Sequence, residues 1–462
     1  MQGMYPPGPK DGLLGVTLLR RFQRSPMQFV TEVARQYGDF SFVRFGWVRF
    51  YMVNRPELIR EVLVTKLKSF HKLGRIMRSL RKIEGNGLVV AEGEPWKRHR
   101  PVVQVAFHNR HMGRFAQVMV EHTRRRIDCW KPGVSFDLAE EMNQLALEIV
   151  ADVVFNVDWA DRAEQLRDAV HVAREAMQRE IANLILSPEW VPWPWRLKQR
   201  KALRTIDDLI WSLIRDRRAS GVIKEDMLSL MLAAAADVGD GPPISDLEIR
   251  DEAATLFVAG HDTTSAALAW FWYLMARNPD KEKRVRDEVD AVLQGRAAGY
   301  ADAARLPYTE MAVRESMRLY PAAGFLFGRE AIEDTEIGGY PIKRGSWLFI
   351  APYVVHRDPK YFKDPEAFDP ERFAPGRVDE IPSYAYIPFG GGPRICIGNN
   401  FAITEIVLVA ATVLQRFQLV LDQAEVEPEL EVVLRPKGGM RMRAVPRTPS
   451  SEGAPAHLSF AH

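Results

Sequence analysis

The longest apolar stretch of the chain runs from Asp251 to Met275 and carries a polar cluster, Gly260 to Thr264, at its middle. Its length would suit a membrane helix, but each polar group of the cluster would be costly in lipid. The stretch therefore predicts a helix buried in protein. Ser245 with Glu248 three residues later is typical of a helix N-cap, and Asn278-Pro279 marks the end. A helix of roughly thirty residues is about 45 Å long and spans a whole domain.

A glycine-rich turn that carries one cysteine, FGGGPRICIG at residues 389–398, precedes an apolar helical pattern. The turn and the helix N-terminus behind it supply N–H donors and a favourable field for a thiolate at Cys396. A sulfur in that setting is able to hold iron. The other cysteine of the chain, Cys129, is interpreted as a small buried hydrophobe.

The same turn fits the pattern F-x-x-G-x-R-x-C-x-G at every fixed position, and it resembles the haem-binding loop of the cytochrome P450 monooxygenases. The residues that fill the pattern are Phe389, Gly392, Arg394, Cys396 and Gly398. The resemblance implies that Cys396 ligates the iron of haem b and promotes O–O cleavage, and that Phe389 and Gly398 contact the cofactor.

A second motif, AGHDTT at residues 259–264, is similar to the oxygen-activation motif of that family. The resemblance implies that the central helix opens locally beside the haem, next to Ala259. Thr263 would donate a hydrogen bond to the dioxygen being activated, and Asp262 would relay protons from water. The alternative is that Thr263 bonds back to a carbonyl of the preceding turn, as helical threonines often do. His261 is interpreted as the variable position of the motif, turned away from iron.

Glu315 and Arg318 lie three residues apart on one face of a predicted helix, so they are able to pair. An exposed pair of this kind would contribute little to stability. By resemblance, Arg372 of the motif P-E-R-F joins them in a buried triad. These three residues are predicted to be structural and to stabilise the core around the cysteine loop.

Trp96 and Arg100 form a W-x-x-x-R pattern and share one helix face. Haem carries two propionates, and an indole N–H and a guanidinium suit them as donors. A packed core aromatic is the alternative for Trp96. Resemblance adds Arg329 and Arg394 as further partners of the propionates, and His99 and His356 are additional candidates nearby.

The substrate pocket is expected, by resemblance, at the face of Ala259 and Thr263 and at the stretches 88–91, 184–195 and 322–327. Its wall would be apolar and would contain Val89, Val90, Ala323, Phe325 and Leu326. The predicted substrate is therefore lipophilic: a fatty acid, terpenoid, steroid or polyketide. A carboxylate would be within reach of Arg75, Arg78 and Arg81. The segment 188–195, rich in tryptophan and proline, is either a lid or ordinary surface packing.

The motifs run in family order from Trp96 to Gly398, so the resemblance covers nearly the whole chain. It implies one mainly α-helical domain, residues 1–446, with the haem between the central helix and the helix after the cysteine loop. A smaller β region is predicted from residues 40–54 and 325–352, where strand-like alternation and turns occur. The polar residues 447–462 are expected to form a flexible tail.

Composition narrows the function classes and the location. Sixty-three basic and sixty acidic residues give a net charge of +3, which is too small to indicate nucleic acid as a partner. Two cysteines exclude a disulfide framework and favour a reducing, cytoplasmic setting. The N-terminus has no apolar stretch long enough for a signal or a transmembrane anchor, and whether it is native or truncated is left open. A monomer is expected.

The predicted activity is that of a monooxygenase, which inserts one oxygen atom of O2 into the substrate by hydroxylation or epoxidation. No flavin or iron–sulfur module is visible after Gly398, so NAD(P)H-derived electrons are expected from a ferredoxin or flavodoxin and its reductase. One alternative is a family member that uses peroxide or rearranges oxygenated lipids, and another is a haem sensor or carrier. The presence of both Asp262 and Thr263 favours the reductive monooxygenase over either.

Overall fold

Helices make up most of the protein. The computed structural model describes residues 5–11, 15–157, 163–182, 193–222, 224–236, 243–326 and 328–447. The α-helices of these segments are α1 (Val16–Arg24), α2 (Pro26–Tyr37), α3 (Pro56–Arg60), α4 (Gly74–Glu84), α5 (Gly93–Ala106), α6 (Asn109–Asp128), α7 (Leu138–Phe155), α8 (Ala163–Ala182), α9 (Pro194–Ser220), α10 (Met227–Ala236), α11 (Asp246–Arg277), α12 (Pro279–Leu293), α13 (Tyr300–Ala303), α14 (Pro307–Leu319), α15 (Pro352–Val355) and α16 (Asn399–Leu414).

The remaining elements are short. One turn of π-helix covers Glu61–Thr65, and 3₁₀ turns cover Leu67–Ser69, Pro370–Phe373, Val378–Glu380 and Gly392–Arg394. The strands are β1 (Phe40–Phe45), β2 (Val48–Val53), β3 (Phe70–Lys72), β4 (Ser135–Asp137), β5 (Arg329–Ala331), β6 (Thr335–Ile337), β7 (Tyr340–Ile342), β8 (Trp347–Phe349), β9 (Phe417–Leu421), β10 (Pro428–Leu430), β11 (Leu434–Pro436) and β12 (Arg441–Pro446).

The β region predicted from residues 40–54 and 325–352 is confirmed, and its strands join a sheet in the order β1-β2-β8-β5-β3, of which β3 lies outside the predicted stretches. Strands β2 and β8 are parallel, whereas the other neighbours are antiparallel. The β6–β7 hairpin lies in the same stretch of sequence. A second sheet, β4-β12-β9, and the β10–β11 hairpin were not predicted from the sequence. Most of these strands are three residues long, too short for an alternating pattern to stand out.

The long central helix predicted around Gly260 is confirmed as α11. Ser245 caps it, since its Oγ accepts a hydrogen bond from the Glu248 N–H at 3.3 Å and Glu248 Oε2 accepts one from the Ser245 N–H at 2.8 Å. The helix is buried along most of its length and packs against α7 and α14. A Cβ atom on Gly260 would lie 2.7 Å from Val150 Cγ2, so a glycine allows α7 to approach here. None of the helices in the described residues is both long and apolar enough to cross a membrane.

The chain that follows α4 is held against α11 by hydrogen bonds from its backbone. Asp251 Oδ2 accepts the Asn86 N–H at 2.7 Å, and Glu252 Oε2 accepts the Leu88 N–H at 3.0 Å. Between them, Gly87 comes so close that a Cβ atom would lie 2.1 Å from Thr255 Oγ1. We call this contact the α4–α11 clamp. It fixes the position of one wall of the cavity described below.

The triad predicted from Glu315, Arg318 and Arg372 is present and buried. Arg318 donates two hydrogen bonds to the carboxylate of Glu315, at 2.7 and 2.8 Å, and both side chains are fully buried. Arg372 Nε lies 3.3 Å from Glu315 Oε1. Arg318 also donates to the carbonyl oxygens of His356, Pro365 and Ala367, so it connects α14 to the segment that leads to the cysteine loop.

The expected C-terminal tail lies almost entirely outside the described residues, at 448–462. Its first residue, Arg447, is fixed, because its guanidinium pairs with Asp290 of α12 and its backbone N–H donates to Arg416 O at 2.9 Å.

Candidate active site

The cysteine loop depends on glycine for its path. Gly390 and Gly392 have φ angles of +74° and +69°, in the left-handed region that favours glycine. A Cβ atom on Gly392 would lie 2.5 Å from Leu63 O. The Cys396 N–H donates to Phe389 O at 3.0 Å and closes the loop. The sulfur is thereby held three residues before the N-terminus of α16.

The groups around the Cys396 thiol shift its pKa in opposite directions. Burial raises the pKa, while the Gly398 N–H and the positive charge of Arg100 lower it. The side chain nevertheless has exposed surface, which opens into a cavity lined by Cys396 itself. A thiol that is desolvated by protein and directed into a cavity is favoured as a thiolate once a metal cation binds there.

The cavity has a volume of ≈ 380 Å³ and lies between the cysteine loop and the middle of α11. Both predicted motifs contribute to its lining. From the loop come Phe389, Arg394, Cys396 and Gly398, and from α11 come Ala259, Asp262 and Thr263. The lining is otherwise mostly apolar, so a bound molecule would be largely shielded from water.

One side of the cavity collects positive charge beside an indole. The predicted residues Trp96, Arg100, Arg329 and Arg394 all line it. The Arg394 guanidinium stacks 4.1 Å from the centre of the Trp96 ring and donates to Ala91 O at 2.8 Å, while Arg100 donates to Ile395 O at 2.9 Å. These contacts fix both guanidinium groups at the edge of the cavity.

Lys72, which was not predicted from the sequence, joins this basic group. It lies at the end of β3, where the antiparallel register pairs it with Arg329 of β5, and its Nζ donates to Val89 O. Burial, with the nearby Arg394 charge, lowers the pKa of Lys72 to about 7, and burial lowers the pKa of Arg329 to about 10. Buried cations crowded in this way favour an anionic ligand. No motif marks Lys72, and only the pairing of strands remote in sequence brings it here.

The donor set of the cavity fits haem. A thiol faces the cavity, and the cationic group offers partners for two carboxylates, as the propionates require. The walls between them are apolar, as a porphyrin plane requires. Cys396 would hold the iron, and Trp96, Arg100, Arg329, Arg394 and Lys72 would hold the propionates.

Thr263 is exposed towards the cavity, and its Oγ1 donates to Ala259 O at 2.8 Å. The bond back to the preceding turn, stated as the alternative above, is thus present. The expected local opening of the helix is wrong for this structure, because α11 is continuous from Asp246 to Arg277.

Asp262 beside Thr263 is paired with two arginines that the sequence did not connect with it. The Arg435 guanidinium of β11 forms an ion pair with its carboxylate, and Arg174 Nη1 of α8 lies 3.7 Å away. His261 is buried, and its Nδ1 donates to Phe257 O at 3.1 Å. Burial lowers the pKa of His261 to about 4, so the ring is neutral and engaged with its own helix.

Of the residues predicted for the substrate wall, Val89, Ala323, Phe325 and Leu326 line the cavity. Val90 is wrong: it is 1% exposed and packs in the helical core. The Gly87–Val90 turn, closed by the Val90 N–H to Gly87 O at 2.9 Å, directs residues 89 and 90 to different sides. Of the stretches expected here, residues 184–192 and Phe327 lie outside the described residues. The cavity also does not include Arg75, Arg78 or Arg81.

Three further expectations are corrected. His99 points away from the cavity to Glu252 Oε1, 2.7 Å from its Nδ1, because adjacent helical residues lie about 100° apart around the axis. His356 donates from Nδ1 to Arg318 O at 3.2 Å and accepts the Ile387 N–H at Nε2, so both ring nitrogens are occupied. Cys129 is exposed at the end of α6 and is not a buried hydrophobe.

Other lining residues carried no sequence signal. Val432 and Val433, at the turn of the β10–β11 hairpin, reach the cavity because Trp270 Nε1–H donates to Leu434 O at 2.9 Å and fixes the hairpin to α11. Glu84 and Thr255 add a polar spot to the wall beside the α4–α11 clamp. The sequence alone does not show that Glu84 is buried among apolar residues, so this lining residue was not predictable from it.

Comparison with known protein families gives an extended match. Residues 6–442 match the family model described as Cytochrome P450. This range includes every motif described above, from Trp96 to Gly398, and both sides of the cavity.

Individual proteins of Streptomyces are similar over nearly their full length. A cyclooctatin synthase of Streptomyces melanosporofaciens is 35% identical, over 92% of this chain and 92% of its own. A cyclooctat-9-en-7-ol 5-monooxygenase of the same organism is 32% identical, over 88% of this chain and 87% of its own. A pentalenene oxygenase of Streptomyces avermitilis is 31% identical, over 93% and 95%.

Proposed function

We propose, from the premise that the chain belongs to the cytochrome P450 family and is a haem-dependent monooxygenase, that Cys396 is its iron ligand and a terpenoid its substrate. The observation that carries the proposal is the position of the Cys396 sulfur. It is directed into the same cavity as Thr263 and the basic group. When bound, haem supplies the oxygen chemistry, which uses O2 and two NAD(P)H-derived electrons.

The residues of the chain then have distinct tasks. Trp96, Arg100, Arg329 and Arg394 would hold the haem propionates, and Phe389, Gly398 and Ala259 would contribute to the haem-binding surface. The Thr263 hydroxyl would turn from Ala259 O into the cavity and supply a proton from Oγ1 during oxygen activation. Asp262 would return a proton to Thr263 from water when its pairing with Arg435 or Arg174 loosens. The triad of Glu315, Arg318 and Arg372 has a structural task only.

The terpenoid proposal rests on two supports. The wall formed by Val89, Ala323, Phe325 and Leu326 is apolar, which suits a hydrocarbon skeleton. Two of the Streptomyces relatives, the cyclooctat-9-en-7-ol 5-monooxygenase and the pentalenene oxygenase, are terpene monooxygenases. Hydroxylation of a C–H bond or epoxidation of an alkene are the two outcomes of oxygen insertion that this site would allow.

We further propose that a ferredoxin or flavodoxin with its reductase supplies the electrons, since the family relies on redox partners. Residues 1–446 would act as one domain in a monomeric protein. A cytoplasmic location is supported by the small cysteine content, with two cysteines in 462 residues and an exposed thiol at Cys129 that a reducing compartment would keep free.

The first test is the absorption spectrum of the dithionite-reduced protein under carbon monoxide. We expect the far-red-shifted Soret band of thiolate-bound haem in the wild type and in the Cys129→Ser control. Cys396→Ala should lose that band. A wild-type band at the position of histidine-ligated haem, or a band retained by Cys396→Ala, would remove Cys396 as the ligand.

A second test separates the monooxygenase from a haem carrier. With a surrogate ferredoxin and its reductase, a terpenoid substrate should accelerate NADPH consumption and give an oxygenated product by mass spectrometry. Consumption that is independent of every terpenoid offered would contradict the substrate class, and product formed only with added peroxide would favour the peroxide-using alternative.

A further inference from the structure

A carboxyl and a hydroxyl group interrupt the apolar wall of the cavity. Glu84, the last residue of α4, is 2% exposed and lines the cavity, as does Thr255 of α11, also 2% exposed. Thr255 Oγ1 donates to Glu84 Oε2 at 3.5 Å, which is the long limit of a hydrogen bond. In the part of the chain that the structure describes, Thr255 is the one side chain that hydrogen-bonds to Glu84.

Glu84 is also a neutral group at physiological pH. Burial raises its pKa to about 8, and the charges of Lys72 and Glu252 act on it in opposite directions. A protonated carboxyl has one O–H to donate and a carbonyl oxygen to accept. Its long bond to Thr255 uses little of this capacity. A buried polar group with unused hydrogen-bonding capacity beside a ligand cavity favours a ligand that supplies the missing partner.

The neighbouring buried glutamate, Glu252, differs from Glu84 in its hydrogen bonds. Glu252 accepts a hydrogen bond from the Leu88 N–H at 3.0 Å and is 2.7 Å from His99 Nδ1, and His99 Nε2 in turn lies 3.1 Å from Glu248. The carboxylate of Glu252 is therefore engaged by protein groups of the α4–α11 clamp, and it does not line the cavity. Glu84 differs from it on both points.

The position of the pair along α11 fits a ligand of terpenoid length. Thr255, Ala259 and Thr263 are four residues apart and share one face of the helix. From Thr255 to Thr263 the axis rises roughly 12 Å, at 1.5 Å per residue. An oxygen atom held at Thr255 would leave a hydrocarbon skeleton lying along Ala259, with its far end beside Thr263.

The pair is also held rigidly. Glu84 immediately precedes the clamp, where Asn86 and Leu88 bind the carboxylates of α11 through their backbone N–H groups. Thr255 lies against Gly87 in the same contact. Groups fixed by the backbone of packed elements lose little freedom when a ligand binds, which favours both affinity and orientation.

We propose that Glu84 and Thr255 bind a hydroxyl group of the substrate, so that this enzyme oxidises a lipophilic alcohol in preference to the corresponding hydrocarbon. The substrate hydroxyl donates to one oxygen of the pair and accepts the Glu84 O–H. An earlier oxygenating or hydrating step must then supply the substrate. The inference deepens the proposed function and rests on it, because it concerns the substrate of the same cavity.

The test uses the haem-loaded protein and pairs of cyclic sesquiterpenes and diterpenes, each an alcohol with its parent hydrocarbon. The dissociation constants come from the substrate-induced shift of the Soret band. We expect alcohols to bind roughly fivefold to tenfold more tightly than their hydrocarbons, as one hydrogen bond allows. Glu84→Leu and Thr255→Val should each reduce this ratio towards one, whereas Glu84→Gln, which keeps a donor and an acceptor, should retain most of it.

Two control variants distinguish a specific loss of hydroxyl recognition from a general loss of ligand binding. Glu282→Leu changes another buried glutamate, on α12 and away from the cavity, and should leave the ratio unchanged. Leu80→Ala enlarges the cavity and should weaken alcohol and hydrocarbon alike. A wild-type ratio near one, or an undiminished ratio in both Glu84→Leu and Thr255→Val with a normal carbon monoxide spectrum, would overturn the inference. If no terpenoid of either kind shifts the band, it is the terpenoid proposal that fails.

Discussion

Thr263 shows how one hydroxyl is placed for two tasks. In the structure it donates to Ala259 O within an unbroken turn of α11, yet it is exposed towards the cavity that contains Cys396. A rotation about χ1 would exchange the first bond for one to a ligand. The cost of that exchange is about that of one hydrogen bond, roughly 1 kcal/mol.

We predict that Thr263→Ala keeps haem and substrate binding but lowers the fraction of electrons recovered in product several-fold, because the proton donor at the cavity is lost. The measurement compares product formed with NADPH consumed and with peroxide released. Ser265→Ala is the matched control, since its hydroxyl is buried and donates to Asp262 O at 3.0 Å outside the cavity lining. Equal coupling in Thr263→Ala and wild type would remove Thr263 from proton delivery.

A single residue of the site is predictable from the sequence when the residues next to it in the chain complete a motif. Cys396, Thr263 and Trp96 belong to this class, and all three line one cavity. Lys72 and Glu84 do not, since tertiary packing alone brings them there. His99 shows the reverse error: it is adjacent to Arg100 in sequence, but the helical rotation points it towards Glu252.

Helix α14 contributes two members of the buried triad, Glu315 and Arg318. The Arg318 guanidinium is fully buried, and its donors are distributed between Glu315 and three carbonyl oxygens. The negative charge of Glu315 is shared with Arg372. Neither arginine has another carboxylate in the described structure within ion-pair distance, so the triad depends on one glutamate.

We predict that Glu315→Gln destabilises the protein by about 3–5 kcal/mol, because two buried arginines lose their counter-charge. Thermal unfolding and the haem content of the purified protein are the measurements. Glu310→Gln on the same helix is the control: its partly exposed pair with Arg314, at 2.7 Å, should contribute less than about 1 kcal/mol. A similar loss in both variants would contradict a special role for the triad.

Helices and strands with long sequence patterns or clear end signals were predicted, whereas very short strands were not. Ser245, Glu248 and Asn278-Pro279 predicted both ends of α11 within a residue, since caps are local. Strands β10 and β11 had no comparable signal, because three residues carry no period and their positions depend on a bond from Trp270. The intact turn at Thr263 was missed for a different reason, since resemblance implied a local deformation that α11 does not show.

For the molecule as a whole, buried carboxyl groups make stability depend on pH. Burial raises the pKa values of Glu84 and Glu405 to about 8, and it also raises the pKa of Glu282. A glutamate has a pKa near 4.5 when unfolded. Between about pH 4.5 and 8 these three groups therefore bind more protons in the folded state than in the unfolded state, so their contribution to stability falls as pH rises through this range.

We predict that Glu405→Gln stabilises the protein at high pH. Glu405 of α16 is 2% exposed and its Oε1 has no hydrogen-bond partner in the described structure. The gain over wild type should be small at pH 5 and reach roughly 1–3 kcal/mol at pH 9, a discounted part of the 1.4 kcal/mol per pKa unit. Midpoints of thermal unfolding across this range are the measurement.

The exposed Glu425 provides the control for this pH series. Its replacement by Gln should shift the midpoint by the same small amount at every pH. A constant difference between Glu405→Gln and wild type from pH 5 to 9 would show that Glu405 is ionised in the folded protein throughout.

The α4–α11 clamp has a consequence for how such a protein diversifies. Asp251 and Glu252 hold the chain at Asn86 and Leu88 by its main-chain N–H groups, which every residue except proline provides. Mutations at Glu84 or Val89 can therefore alter the ligand surface without removing the backbone hydrogen bonds that hold the chain between them. Selection can therefore change which ligands the cavity accepts while the position of its wall is kept. A lineage can evolve a new substrate preference without a new backbone arrangement.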